Sequence, residues 1–150
     1  MSCPDRHQHD TASCTRAWQT FRLAHQRVVQ RLGTELAREC ALAINEFDVL
    51  LHLRSHPTSD VRMSELLEAV TLSQPALSRL VTRLEARGLL IRAGAADDGR
   101  AILVRLSDAG GALIDRAIDV HARVVQETLT SKFSAQEQAA LLQTLSQIGR

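Results

Sequence analysis

The chain of 150 residues is long enough for one domain with a real hydrophobic core. Its 18 Lys and Arg nearly balance its 17 Asp and Glu, so bulk charge marks no partner, and a nucleic-acid surface has to be sought in local clustering. Three unpatterned cysteines, Cys3, Cys14 and Cys40, speak against a disulfide framework and for a reducing compartment, and no run approaches the ~18–20 apolar residues of a membrane span. Aromatics are limited to Trp18, Phe21, Phe47 and Phe133, so the core must be built from Leu, Ile, Val and Ala, which leans the fold toward helix.

Residues 1–15 are polar, carry Asp5, His7, His9 and Asp10, and lack the apolar run of a signal peptide. They read as a flexible tail on a soluble, cytoplasmic protein. A first helix is predicted over residues 16–39, because Trp18, Phe21, His25, Val28, Leu32 and Leu36 recur at helical steps of three and four. A second starts near Asn45, a good N-cap, buries Phe47, Leu50, Leu51 and Leu53, and stops ahead of Pro57. A third, over residues 64–70, is capped by Ser64. After the link Thr71-Leu72, Ser73 caps a fourth helix. Pro75 is tolerated in its first turn, and Gly88 suits the left-handed position at its end.

The period then changes. Residues 89–92 and 101–106 read as two strands around the turn-forming run Gly94-Ala95-Ala96-Asp97-Asp98-Gly99. Ser107 and Asp108 open a fifth helix that reaches about residue 130. A Ser134/Glu137 capping box opens a sixth, with Leu141, Leu142 and Leu145 on it. The expected fold class is mainly α: a winged helix-turn-helix with a two-stranded β-wing, flanked by long N- and C-terminal helices.

The fourth helix has two unlike faces. Leu77, Leu80, Val81 and Leu84 share one side and should pack inward. The other shows Pro75, Arg79, Thr82 and Ala86, flanked by Gln74, Ser78 and Arg83, with Ser73 at its start. Glu85 is the one acid between Ser73 and Arg92, against Arg79, Arg83, Arg87 and Arg92. Arginine can pair bidentately with guanine, Gln with adenine, and Ser or Thr with bases or phosphates, while a major groove about 12 Å wide admits one helix. The hairpin tip adds Arg100, suited to a narrow minor groove, with Asp98 placed to aim its guanidinium.

The stretch 72–106 resembles the winged helix-turn-helix of the MarR family of bacterial regulators. The matching pieces are Ser78-Arg79-Leu80-Val81, Leu84-Glu85, Gly88-Leu89, the wing motif Asp98-Gly99-Arg100 and the turn Ser107-Asp108-Ala109-Gly110 that opens the fifth helix. The resemblance extends over residues 16–150. It implies one domain in that span, with the winged helix-turn-helix lobe at 45–106 and dimerisation helices at 16–40 and 107–150. It also implies a homodimer that binds a palindromic double-stranded DNA operator, represses transcription, and is released by a small-molecule effector. The DNA-binding set is then Ser73, Gln74, Pro75, Ser78, Arg79, Thr82, Arg83, Asp98 and Arg100. The family's effector pocket, between the dimerisation helices and the DNA lobe, points to His25, Val29, Phe47, Leu51 and His121.

Two other signals are conceivable from the residues. Cys14 sits near the place where peroxide-sensing relatives carry a reactive cysteine, but earlier in the chain, and the tyrosines that assist that cysteine are missing. Cys40 reads as a small buried hydrophobe. His52 and His56 are four apart, a zinc-like spacing that His121 could complete, but two histidines without a nearby acid make a weak site, and no metal is assigned. The chain shows no phosphate-binding glycine loop, nucleophile elbow or metalloprotease motif, so no enzyme, catalytic residue or cofactor is expected. A purely helical interaction dimer is the remaining alternative, and it would leave the arginine-rich helix and the wing without a role.

Overall fold

A computed structural model describes residues 11–57, 60–94 and 102–147. Its elements are α1 (Thr11–Cys40), α2 (Ile44–Arg54), β1 (Val61–Arg62), α3 (Met63–Ala69), α4 (Gln74–Ala86), β2 (Leu90–Gly94), β3 (Ile102–Leu106), α5 (Asp108–Thr128), a 3-10 turn (Thr130–Lys132) and α6 (Ala135–Leu145). The mainly helical class holds.

α1 runs for 30 residues, about 45 Å at 1.5 Å per residue. It starts at Thr11, so Cys14 and Thr15 belong to the helix rather than to a tail. Residues 11–27 are all exposed, and the buried stripe begins only with Leu32, Glu35, Leu36 and Cys40. A helix end that buries nothing leaves no internal contact to mark its start. α1 stops at Ala41, which takes the left-handed φ of 52° while its N–H donates to the Ala37 carbonyl and that of Leu42 donates to Leu36.

Local rules misplaced two caps. The N-cap of α2 is Ala43, not Asn45. Glu46 reaches back from the first turn, and its Oε2 accepts the Ala43 N–H at 3.0 Å. Asn45 therefore lies inside the turn, and its Oδ1 is enclosed without a hydrogen-bond partner among the described residues. α3 begins at Met63, after Arg62, so Ser64 is helical rather than a cap. Leu51, expected inside, is 39 % exposed.

The wing is also larger than two strands. β1 precedes α3 and pairs antiparallel with β3 (Val61 opposite Val104, Arg62 opposite Leu103), giving a three-stranded sheet ordered β1-β3-β2. Two residues carry no periodicity; β1 is a strand only because β3 offers it an edge.

One continuous core joins the layers. Leu36, Leu50, Leu53, Leu66, Leu77, Leu80, Leu84, Val104 and Ile114 are all at most 2 % exposed. The lower half of α1 packs along α5, where Arg123 and Glu39 form an ion pair 2.5 Å apart. Arg54 ties α2 to α5 through Asp115 at 2.7 Å.

Ser107 joins the helix-turn-helix to α5. It caps α5 by accepting the Gly110 N–H at 3.0 Å and donates its hydroxyl to the Gly88 carbonyl at 2.6 Å. A Cβ on Gly110 would sit 1.8 Å from the Leu89 carbonyl oxygen, so only glycine fits there.

Candidate nucleic-acid interface

α4 is positioned from both ends. Ser73 caps it, with its Oγ accepting the Ala76 N–H at 3.4 Å and Pro75 in the first turn. At the other end Gly88 takes φ 70°, while its N–H reaches the Glu85 carbonyl and that of Leu89 reaches Leu84. Leu77, Leu80, Val81 and Leu84 are buried to 1 % exposure or less. Because these four lie on one side, the opposite side must face solvent. Ser73, Gln74, Pro75, Ser78, Arg79, Thr82 and Arg83 are all exposed there, as the sequence pattern predicts.

The arginines divide by what holds them. Arg79 takes part in no ion pair among the described residues. Arg83 is more than half exposed, with its Nε 3.9 Å from Glu46 Oε1. Arg87 is anchored: it donates to Glu46 Oε2 at 3.2 Å and to the Ala41 carbonyl at 2.9 Å. Arg92, on β2, donates to Thr82 Oγ1 at 2.7 Å and lies 3.2 Å from Glu85. Arg87 and Arg92 thus spend their charge on bracing α4, while Arg79 and Arg83 present theirs outward.

Glu46 is the positioning residue that local reading misses. It is 7 % exposed and gathers the α2 start, Arg83 and Arg87 around one carboxylate. A buried carboxylate has to be paired, and here its partners come from α4 and the residue that caps it. The available signal was an acid in the third helical position of α2, which suggests capping and says nothing of α4.

Asp98 and Arg100 lie outside the described residues. β2 and β3 pair from Leu90–Leu106 to Gly94–Ile102, so the segment that carries both joins two paired strands.

The five effector candidates do not meet in one cavity of the chain. Phe47 is buried and stacks on His121 with ring centroids 5.0 Å apart and planes 11° from parallel, which is packing of α2 on α5. Asp48 beside it has its carboxyl pushed up by burial, with His121 pulling the other way. Leu51 faces a cleft of about 380 Å³ with Asp48, His52, Ser55 and residues 69–71. His25 lines a separate groove of about 730 Å³ between α1 and the chain that runs into α6. Val29 is half-buried on α1.

Cys14 is exposed and Cys40 buried. His52 and His56 are neighbours, 4.7 Å between ring centroids. The group that joins them is Glu65 of α3 rather than His121, so the pair does have a nearby acid.

Known proteins share both the sequence and the fold. Residues 42–101 match the model of the MarR family. The HTH-type transcriptional regulator PecS of Dickeya dadantii (strain 3937) is 31 % identical over 122 residues, covering 81 % of this chain and 73 % of PecS. The HTH-type transcriptional repressor NicR of Pseudomonas putida is 33 % identical over 100 residues, 67 % of this chain and 61 % of NicR. Sco3205 from Streptomyces coelicolor, a MarR family transcriptional regulator solved in complex with DNA, superposes with a TM-score of 0.86 at 23 % identity over 93 % of this chain and 91 % of that one. With its helix-turn-helix and wing in place, the chain belongs to the MarR family of DNA-binding HTH-type transcriptional regulators.

Proposed function

We propose that the protein is a repressor that occupies a palindromic operator as a homodimer and leaves it when an effector binds. The observation that carries the DNA contact is the outward face of α4, where Gln74, Ser78, Arg79 and Arg83 stand exposed above a fully buried Leu-Val stripe. Arg79 and Gln74 suit base edges in the major groove and Ser73 suits a phosphate, while Thr82, whose hydroxyl donates to the Ser78 carbonyl and accepts from Arg92, helps to hold that face in place. Arg100, with Asp98, extends the contact into the neighbouring minor groove. The name of NicR supports the repressor role.

Dimerisation follows from uncovered apolar surface. Trp18 is 62 % exposed, Leu142 73 %, and no residue of α6 is buried. Phe21 and Leu145 line the groove between α1 and the chain that runs into α6, and Trp18 and Leu142 add uncovered apolar surface on the same two helices. A second copy covers it through a two-fold axis, and two-fold symmetry sets half-sites about 10–10.5 bp apart. We place the effector at the cleft beside Leu51 and Asp48, because a ligand there touches both α2 and the link into α4.

The test is selection of bound sequences from random DNA, followed by fluorescence anisotropy across a salt series. A palindrome should emerge, and affinity should fall steeply with salt as phosphate contacts release counterions. Binding without sequence preference would overturn the operator reading.

A further inference from the structure

We propose that His52, His56 and Glu65 bind a divalent transition-metal cation of the zinc class, and that this cation clips the end of α2 to α3. His52 lies in the last turn of α2, His56 just beyond its Ser55 cap, and Glu65 in α3. One ligand atom from each lies within 4.8 Å of the other two. Tetrahedral zinc with ligands 2.0–2.1 Å away needs them roughly 3.4 Å apart. That gap is within the reach of side-chain rotation, since the side chains of His56 and Glu65 are 36 % and 50 % exposed.

The hydrogen bonds prepare the donors. His56 Nδ1 lies 3.0 Å from the His52 carbonyl, which can only accept. Ser55 Oγ, which donates to the same carbonyl at 2.7 Å, lies 3.1 Å from Nδ1; in the tautomer with its proton on Nδ1, His56 leaves Nε2, 3.7 Å from Glu65 Oε1, free to bind a cation. Two acceptors facing each other repel unless positive charge lies between them. His52 Nε2 is enclosed and has no hydrogen-bond partner among the described residues. One cation within reach of a ligand atom from each residue would give His52, His56 and Glu65 a common partner.

The surroundings agree. A histidine that donates its other ring N–H to a backbone carbonyl is the common arrangement around zinc. The carbonyl end of α2 favours positive charge. Two imidazoles and a carboxylate, with no thiolate, suit zinc, nickel or cobalt better than calcium or magnesium, and leave a fourth position for water. Because α3 leads directly into α4, a clip between α2 and α3 acts on the element that reads DNA. That last step rests on the proposed function; the binding site does not.

The experiment is zinc titration into the full chain against a chromophoric chelator, with cobalt(II) absorption to identify donors. One zinc per chain should bind, and Glu65→Gln, a change at an exposed side chain, should weaken it at least about tenfold. The doubly substituted His52→Gln/His56→Gln protein, checked for folding by circular dichroism, should lose the site. A Cys3→Ser/His7→Gln/His9→Gln protein should keep it. Cobalt should give a tetrahedral spectrum without a thiolate charge-transfer band. Unchanged binding in Glu65→Gln and the His52/His56 variant, loss in the Cys3/His7/His9 variant, or a thiolate band would each overturn the site. Operator affinity of the metal-free protein tests the DNA reading separately. Zinc should change that affinity at least fivefold in the parent and not in Glu65→Gln; equal affinity with and without zinc in the parent would overturn the clip's action on α4.

Discussion

Single residues decide how α4 is held and, in the proposed operator complex, how it would meet DNA. Arg79 has no ion pair among the described residues, so Arg79→Ala should leave folding unchanged and weaken operator binding by about 1–3 kcal/mol, with relaxed base preference at one position. Anisotropy on a library of single-base operator variants checks both. Arg100→Ala should weaken binding as well, with no effect on the melting curve. Gly110 is the opposite kind of residue: a methyl group there would collide with the Leu89 carbonyl. Gly110→Ala should cost at least about 1–3 kcal/mol in a denaturant titration, because the backbone must move to admit it. Ala41, with φ 52°, is the one described residue other than glycine at positive φ. Ala41→Gly should raise stability by up to about 1 kcal/mol by relieving its Cβ.

At the scale of elements, α6 depends on its cap. None of its residues is buried in the chain, so its start is held by Ser134 and Glu137. The Glu137 carboxylate accepts the Ser134 N–H and hydroxyl, both at 2.8 Å, and these bonds hold its carboxyl below the ordinary value of 4.5. A depressed folded-state value means that the cap contributes fully above pH 4.5 and is lost as pH falls through the lowered value. Far-ultraviolet circular dichroism should show helix lost on acidification, and Glu137→Gln should remove that acid-dependent part. Glu35, held low by Arg38, adds to the same trend, while Asp48, pushed up by burial, opposes it. The cap of α6 was legible because both partners are close in sequence. The cap of α2 was not, because the rule that favoured Asn45 weighs side-chain type alone. Here the backbone leaves α1 through the left-handed Ala41, and Glu46 supplies the cap from inside the helix.

For the whole molecule, the unpartnered faces of α1 and α6 predict a dimer. Phe21→Glu together with Leu145→Glu puts charge into a groove that is open in one chain. Light scattering should then report half the parent mass, with helicity retained and operator binding lost. A parent protein that is monomeric would place the apolar groove in some other role.

Helix order, the buried and exposed faces of α4, its Ser73 cap and its Gly88 stop follow from the sequence alone. Each rests on spacing or on a residue's own conformational preference, and both are local. Tertiary structure decided the rest. It paired Val61 and Arg62 with β3, brought Glu46 under Arg83 and Arg87, made glycine obligatory at position 110, separated Phe47 and His121 in the α2–α5 packing from Leu51 at its cleft and His25 in its groove, and set Glu65 beside His52 and His56. The physical reason is common to all five: they depend on groups distant in the chain or on separate elements, and no local periodicity records where those groups meet.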